Sequence, residues 1–282
     1  MEIYEFSYMP QGTAICLGDF DGAHKGHRQV FSKAAETGKW GALLFTHNSK
    51  GEKEILTLPE KLEVLKQLGA GYAVAADFET ELKEKSPGEF IVFLKELAVN
   101  KVVTGYDYRF GKGAAGDVTL LKALCGKYGI EAVAVPAETA YGEPIKSTKI
   151  RELIKNGDIK TANTLLGSRY KISGMVERGF GNGTDMGIPT ANIEVAPDKL
   201  LPKDGVYKGM AGSKRAVINV GKNPTFDAKK RTVEVHLIGE TDDLYGKMMT
   251  VEFMDWIRDE IKFKTREELI LQIKKDIESV KE

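Results

Sequence analysis

A change in hydrophobic pattern near residue 168 limits what this 282-residue chain can fold into more than any other feature. Before that point, short apolar runs alternate with longer segments of helical periodicity. The apolar runs cover residues 13–17, 40–45, 72–76, 101–104 and 131–135. This alternation predicts an α/β domain with a parallel sheet and helices on both faces. Ligands of such sheets bind at the carboxyl ends of the strands.

Helical segments separate these runs and close the first half of the chain. The first begins after Gly22, and the others cover residues 59–68, 87–98, 117–128, 148–156 and 158–166. Because the last two are consecutive helices with no strand between them, they end the alternating pattern. We therefore predict a first domain at residues 1–168.

After Gly167 the pattern becomes one of short strands separated by Gly, Pro, Asn and Asp. The strands cover residues 170–176, 188–195, 205–210, 216–220, 232–238 and 248–253. This spacing predicts a small antiparallel barrel in a second domain at residues 169–282. Thr265 and Glu268 stand in capping-box positions of a final helix, whose apolar stripe is predicted to pack on the barrel. The stripe consists of Leu269, Ile273, Ile277 and Val280.

The composition weighs against several classes of function. Lys+Arg and Asp+Glu both total 41, so a broad basic face for nucleic acid is not expected. No apolar stretch approaches the roughly 20 residues of a membrane-spanning helix, and residues 1–11 do not resemble a signal peptide. We expect a soluble cytoplasmic protein that is a monomer or a weak homo-oligomer. Cys16 and Cys125 form no CxxC pair, which favours reduced, buried thiols over a disulfide.

Residues 17–27, of sequence LGDFDGAHKGH, contain two of the four histidines directly after a predicted strand. His24 and His27 then lie where a glycine-bearing turn enters a helix, and the unpaired N–H groups of a helix start favour phosphate. Gly18, Gly22 and Gly26 let the backbone approach phosphate oxygens closely. Two imidazoles there can donate hydrogen bonds as negative charge grows in a transition state. We predict a catalytic phosphate site.

Two other interpretations of this motif remain open. The histidines can simply cap a helix or lie on its surface, and short motifs produce false positives. A zinc site is the second alternative. It lacks a third ligand at recognisable spacing, since His47 is the one weak candidate.

The motif resembles that of the HxGH nucleotidyltransferases, and more narrowly the N-terminal module of bacterial bifunctional riboflavin kinase/FAD synthetases. Residues 105–111 (GYDYRFG), followed by Gly116 and Asp117, are similar to the flavin-side segment of that family. Residues 146–151 (KSTKIR) are similar to its second phosphate motif. The resemblance implies a Rossmann-like domain that adenylylates FMN.

The same resemblance implies roles for individual residues. Phe20, Ser147, Thr148 and Arg151 join the turn glycines at the phosphates of ATP, while the flavin is assigned to Asp107, Arg109 and Phe110. Taken singly, Arg109 can equally form a surface ion pair, and Ser147 or Thr148 an ordinary N-cap.

Two positions depart from the pattern of that family. Asp19 stands where members often have Asn, and an acid facing ATP phosphates is repulsive unless it points away or meets a metal. Residues 45–49 (FTHNS) stand where the family tends to have a Phe-x-Pro-His-Pro segment. Adenylylation is therefore the activity to test first.

Residues 187–192, of sequence GIPTAN, contain two candidate metal ligands in the second half of the chain. The Thr190 hydroxyl and the Asn192 amide offer oxygen ligands to Mg²⁺, a hard cation. A turn with local hydrogen bonds is the alternative. The segment resembles the PTAN motif of riboflavin kinases, and five further segments match that family in order. They are residues 205–207, 219–226, 234–237, 243–247 and 258–263.

This second resemblance implies that Thr190 and Asn192 hold Mg–ATP, with Asn219 also on the nucleotide side. It makes Glu234 the general base that takes the proton of the 5′-hydroxyl of riboflavin. Arg258 and Glu260 are assigned to the flavin, although a surface ion pair explains them equally well.

A glycine-rich segment at residues 179–183 (GFGNG) predicts a flap over the nucleotide or an ordinary hairpin turn. Thr184 follows where these kinases usually have Arg, so a nucleotide-side contact is either absent or supplied by Arg178.

Three functions remain in view. The first is a bifunctional enzyme that makes FMN from riboflavin and FAD from FMN, using ATP and Mg²⁺. The second is a riboflavin kinase with a weak or inactive adenylyltransferase domain. The third is a non-catalytic flavin-binding regulator, against which the retained Glu234, Thr190 and Asn192 weigh. We predict the first, because the resemblance covers essentially the entire chain.

Overall fold

The computed structural model describes residues 1–5, 14–46, 51–177, 188–222, 231–239 and 244–281. Residues Met1–Ser147 form one compact unit, and Thr148–Glu282 form a second. No helix in the described ranges is long and apolar enough to cross a membrane. His47, Ser49, Arg178, the segment 179–184 and residues 223–226 and 243, all named in the sequence-based predictions, lie outside the described residues.

The first unit is built on a six-stranded sheet. Its strands are β1 (Glu2–Glu5), β2 (Ala14–Leu17), β3 (Trp40–Phe45), β4 (Tyr72–Ala76), β5 (Lys101–Gly105) and β6 (Glu131–Val135). Their spatial order is β1-β4-β3-β2-β5-β6, and every neighbouring pair is parallel. The predicted parallel α/β architecture is confirmed, and the predicted strands 40–45, 72–76 and 131–135 have the observed bounds.

Helices cover both faces of this sheet. They are α1 (Lys25–Ala35), α2 (Leu58–Gln67), α3 (Pro87–Glu96) and α4 (Val118–Lys127). Alternate residues of β2 point to opposite faces: Ala14 and Cys16 pack with α1 and α2, whereas Ile15 and Leu17 pack with α3 and α4. Cys16 and Cys125 are free, buried thiols, as predicted. Short pieces complete the described part of this unit: a π-helical turn (Phe78–Leu82), a 3₁₀ turn (Lys112–Ala114) and a hairpin of β7 (Thr139–Ala140) and β8 (Glu143–Pro144).

Two helices follow the sheet in sequence, α5 (Ser147–Asn156) and α6 (Ile159–Leu166). The α6 helix packs on the barrel of the second unit, where Nδ2 of Asn163 donates a hydrogen bond of 2.9 Å to the carbonyl of Phe253. In space, both helices except Ser147 belong to the second unit. The domain boundary at residue 168 stays a prediction.

Six antiparallel strands close into a barrel in the second unit, as predicted. They are β9 (Tyr170–Glu177), β10 (Ala191–Ile193), β11 (Gly205–Ala211), β12 (Lys214–Lys222), β13 (Arg231–Leu237) and β14 (Met248–Arg258). The order around the barrel is β10-β13-β12-β11-β14-β9. Strand β10 is shorter than the predicted 188–195. Pro189, just before it, has no N–H to donate to a ladder.

The chain ends in α7 (Arg266–Lys281), which packs on the outer face of β12 as predicted. Ile277 and Val280 of its apolar stripe contact Val206 and Val217. At the helix start, Oγ1 of Thr265 accepts the N–H of Glu268 at 3.2 Å. The Glu268 carboxylate accepts the N–H of Lys264 at 3.0 Å, so the capping interaction reaches one residue further back than a standard capping box.

Candidate active sites

The turn between β2 and α1 has an unusual backbone. Phe20, Gly22 and Ala23 have φ angles of 50°, 81° and 42°, all in the left-handed region. For a residue other than glycine this conformation costs on the order of 1–3 kcal/mol, and it is concentrated at functional sites. The Phe20 ring helps to hold the turn, because it packs against Phe31 at 4.8 Å and edge-on against His27 at 5.4 Å between ring centroids.

The two histidines of this turn are stacked on each other. Their ring centroids lie 3.6 Å apart with an interplanar angle of 19°. His24 is the N-cap of α1, and its Nδ1 accepts the N–H of His27 at 3.3 Å. The Nδ1 atom of His27 is buried and has no hydrogen-bond partner among the described residues. A buried polar atom without a partner is costly, so it marks the place where a ligand can bind.

Burial keeps both imidazoles neutral. It lowers the pKa of His24 to about 4. It also lowers the pKa of His27 well below the ordinary value, and electrostatic interaction with His24 and Lys61 acts in the same direction. Neutral imidazoles at pH 7 have one N–H donor each, which suits hydrogen bonding to phosphate oxygens.

Two glycines of the motif are required by close contacts rather than by their φ angles. A Cβ atom at Gly26 would lie 3.2 Å from Cε1 and Nδ1 of His24. A Cβ atom at Gly18 would lie 2.9 Å from Cε1 of Phe20. Larger residues at either position would displace the rings that shape the turn.

Asp21 connects the turn between β2 and α1 to two other segments. Its Oδ1 accepts the N–H groups of Ile55 at 2.9 Å and Leu56 at 3.2 Å, just before α2. Its carbonyl accepts a hydrogen bond of 2.8 Å from Oγ of Ser147. The predicted second phosphate motif therefore begins in contact with the first. Thr148 is exposed, and Arg151 is buried within the second unit.

A buried ionic cluster beside this turn was not predicted from the sequence. Nζ of Lys61 lies 3.1 Å from Oε1 of Glu54 and 4.0 Å from Oδ1 of Asp19. The signal was present, because Lys61 shares the apolar helical stripe of Val64 and Leu65, where a charged residue is out of place.

The predicted flavin-side segment follows β5 at the carboxyl edge of the sheet. Phe110 is buried and forms an isolated antiparallel bridge with Gly116, whereas Asp107 and Arg109 are exposed. At the end of β5, Thr104 is fully buried, and its Oγ1 has no hydrogen-bond partner among the described residues. Sequence reasoning missed this hydroxyl, which a predicted strand of valines gives little reason to single out.

On the barrel, strand register brings together three of the predicted kinase residues. Glu234 on β13 is paired with Asn192 on β10 and with Asn219 on β12. Directly paired residues of antiparallel strands point to the same face, so the three polar side chains form one row. We call it the Asn–Glu–Asn row. Glu234 is half-buried, and this burial raises its pKa.

The segment that leads into β10 is attached to the same region. Nδ1 of His236 donates a hydrogen bond of 2.8 Å to the carbonyl of Pro189, which immediately precedes the exposed Thr190. Mg²⁺ binds oxygen donors, so the Thr190 hydroxyl and the Asn192 amide oxygen fit this metal. No group of three or more His, Cys, Asp or Glu side chains in the described ranges is arranged to hold a metal ion.

Arg258 and Glu260 lie at the end of β14. The Arg258 guanidinium forms a forked ion pair with the buried Asp276 of α7, with its closest nitrogen–oxygen distance 2.7 Å. Glu260 is in contact range of Gly221, and burial together with the charge of Asp204 raises its pKa. Asp276 was not predicted, because nothing local to α7 indicates its partner.

A parallel sheet with an HxGH turn and a closed barrel with a PTAN segment together define a protein of two transferase units. Family models agree with this assignment: residues 7–149 match FAD synthetase, and residues 166–282 match riboflavin kinase. A bifunctional riboflavin kinase/FMN adenylyltransferase of Listeria monocytogenes is 33% identical, with 93% of this chain and 89% of the relative covered. The Escherichia coli protein of the same description is 32% identical, with 97% and 94% covered.

The chain belongs to the family of bifunctional riboflavin kinases/FMN adenylyltransferases, as its motifs predicted. A solved structure has the same fold over the whole length. It is the crystal structure of a Streptococcus pneumoniae protein described as a macrolide-efflux protein, with 29% identity, a TM-score of 0.89, and 100% of this chain and 99% of that chain covered.

Proposed function

We propose that this chain makes both flavin cofactors. The barrel unit transfers the γ-phosphoryl group of ATP to the 5′-hydroxyl of riboflavin, which yields FMN and ADP. The sheet unit transfers the AMP portion of a second ATP to the phosphate of FMN, which yields FAD and pyrophosphate. The observation that supports this proposal best is that each family match contains its own cluster of polar residues. Residues 7–149 include the stacked histidines, and residues 166–282 include the Asn–Glu–Asn row.

In the kinase reaction, Glu234 takes the proton of the riboflavin hydroxyl as the hydroxyl oxygen attacks phosphorus. A raised pKa makes its carboxylate a better proton acceptor near neutral pH. Asn219, beside it on the same face, contributes on the nucleotide side. Thr190 and Asn192 would hold Mg²⁺, which would neutralise charge on the phosphates when bound. The His236–Pro189 hydrogen bond keeps the segment with these ligands against β13.

In the adenylyl-transfer reaction, no side-chain nucleophile is needed, because the attacking group is the phosphate of FMN. His24 and His27 donate hydrogen bonds to the phosphate oxygens as charge develops. The backbone around Gly18, Phe20, Gly22 and Gly26 and the start of α1 bind the triphosphate. Ser147, Thr148 and Arg151 form the second phosphate contact.

The flavin contacts are the remaining part of the proposal. Asp107 and Arg109 have exposed polar groups, and Phe110 has a buried ring for the FMN of the adenylyl-transfer site. Arg258 and Glu260 are proposed for riboflavin in the barrel unit. We also expect the enzyme to act in the cytoplasm as a monomer or weak homo-oligomer on small molecules alone.

One incubation tests the overall function. Purified protein is mixed with riboflavin, ATP and Mg²⁺, and the flavins are separated by chromatography. We expect FMN and FAD to appear in sequence. FMN without FAD would indicate a riboflavin kinase with an inactive adenylyltransferase unit. Unchanged riboflavin would indicate a non-catalytic protein that binds flavin.

A further inference from the structure

Lys61 is buried at a place where a lysine is costly. Its relative exposure is 2%, and its long side chain loses both hydration and rotamer freedom there. Its Nζ lies 3.1 Å from Oε1 of Glu54, which is also 2% exposed. A buried charge of this kind is expected only where it is paired.

The pair is held rigidly against the turn between β2 and α1. Two consecutive N–H groups that follow Glu54 in the chain, those of Ile55 and Leu56, donate to the Asp21 carboxylate. Lys61 lies in the first turns of α2, which begins three residues after Ile55. The short connection and the two hydrogen bonds therefore fix both charges relative to the turn.

Asp19 is the group in the turn that faces this pair. Its Oδ1 is buried and has no hydrogen-bond partner among the described residues, and its one ion pair in those ranges is with Lys61 at 4.0 Å. The Asp19 side chain as a whole is 29% exposed, so the carboxylate also borders solvent. An unneutralised acid at this position would repel a triphosphate.

The electrostatics indicate that the positive charge of Lys61 acts on the turn. Burial is the main cause of the lowered pKa of His27, and electrostatic interaction with His24 and with Lys61 adds to it. Burial raises the pKa of Glu54, whereas the charge of Lys61 and its hydrogen bond to Glu54 act in the opposite direction.

We propose that Lys61 is a positioning residue for adenylyl transfer. Its buried ammonium holds the Asp19 carboxylate in place and neutralises it, so that the turn accepts the triphosphate of ATP beside an acid. This inference rests on the proposed adenylyltransferase function of the first unit. It assigns an electrostatic role to a residue that contacts ATP only through Asp19.

The test is a double-mutant cycle between Asp19→Asn and the paired change Glu54→Gln/Lys61→Met. The paired change removes both buried charges together. A single unpaired buried charge would destabilise the unit and lower activity without any specific effect on ATP binding. FAD formation from supplied FMN is measured as a function of ATP concentration. Glu84→Gln/Lys112→Met, which removes an exposed ion pair of the same unit, is the matched control.

When Asp19 is present, the paired change is expected to raise KM for ATP by about fivefold and to leave kcat within about threefold of its natural value. An increase of this size is expected when one charge interaction is lost at a partly exposed site. Adding Asp19→Asn in that background should reverse most of the increase. If Asp19→Asn changes KM by the same factor in both backgrounds, the two groups are uncoupled and the inference is wrong.

A ligand-free measurement separates this inference from the proposed function. Hydrogen exchange of residues 14–30 is followed by mass spectrometry in the same four proteins. Asp19→Asn should speed exchange in the natural background and not in the paired variant. Equal effects would overturn the inference even if FAD is formed, whereas absence of FAD from the natural protein overturns the function alone.

Discussion

At the scale of single residues, burial is the main cause of the shifted pKa values at both sites. His24 and His27 are kept neutral by their surroundings, and Glu234 is made more basic than an exposed carboxylate. Such shifts cost stability at any pH where the group would be ionised in the unfolded chain, because folding holds it in an environment that disfavours the ionised form. Perturbed pKa values of this kind are concentrated at functional sites.

The pKa of His24 predicts how the first unit responds to acid. A histidine with a lowered pKa binds fewer protons in the folded state than in the unfolded one. Its contribution to stability is therefore complete above the unfolded pKa of 6.5 and is lost as pH falls toward about 4. We expect the natural protein to lose on the order of 3 kcal/mol more than His24→Asn between pH 7 and pH 4.

Asn at position 24 is a suitable comparison because it is also a good N-cap, so α1 keeps its capping interaction. Urea unfolding at several pH values measures the difference. Parallel losses in the two proteins would show that His24 does not titrate in this window.

Replacement of Glu234 separates the two activities. Glu234→Gln keeps the shape of the side chain but removes the base, so kcat for FMN formation should fall by about 10²–10⁴-fold. FAD formation from supplied FMN should stay within about twofold, because Glu234 is not part of the proposed adenylyl-transfer site. Chromatography of the flavins measures both, and loss of both activities would argue against separate sites.

The same substitution has a pH signature and a control. FMN formation by the natural protein should rise with pH through a pKa above the ordinary carboxyl value, because Glu234 must lose its proton to act. Glu252→Gln removes a more exposed carboxylate from β14 that pairs with Arg169, and this variant should retain both the rate and the pH profile.

At the scale of elements, caps and ion pairs decide where helices begin and what they contact. Thr57 and Ser86 form capping boxes with Glu60 and Glu89, which start α2 and α3 next to a proline. These starts were readable from the sequence, since the cap and its partner lie three residues apart. The attachment of α7 was only partly readable, because Arg258 and its partner Asp276 are distant in the chain.

Asp276→Asn tests how much that attachment contributes. The Asp276 side chain is 3% exposed, and its loss leaves the guanidinium of Arg258 without its carboxylate. We expect the second unit to lose about 3 kcal/mol of stability. Glu278→Gln on the same helix breaks an exposed pair with Lys281 and should change stability by less than about 1 kcal/mol. Thermal unfolding compares the two, and similar small effects would mean that packing alone holds α7.

At the scale of the whole molecule, one chain contains two folds whose strands pair in different ways. The parallel sheet and the antiparallel barrel are distinct compact units, and each family model matches one half of the chain. Most residues of each proposed site lie within its own match, and Arg151 is the exception, two residues beyond the end of the first. We therefore predict that FAD formation does not require Glu234 and that FMN formation does not require His24 or His27.

Mixing two variants that each lack a different one of the two activities tests this independence. Glu234→Gln alone is expected to make no FAD from riboflavin, and His27→Ala is expected to stop at FMN. Equal amounts of both should produce FAD after a lag, because FMN released by one protein is used by the other. If the mixture stops at FMN while the natural protein makes FAD, FMN does not pass through solution.

Much of this protein was determined by its sequence. Local periodicity predicted both architectures, because strand and helix repeats depend on neighbours within a few residues. The strand at 40–45 and the HxGH turn at β2 were predicted for this reason. Tertiary structure decided which distant groups meet. The Asn–Glu–Asn row depends on strand register, and the contacts of Lys61 with Glu54 and Asp19 depend on how α2 packs against the turn. Such pairings arise from packing between segments far apart in the chain, which no local pattern specifies.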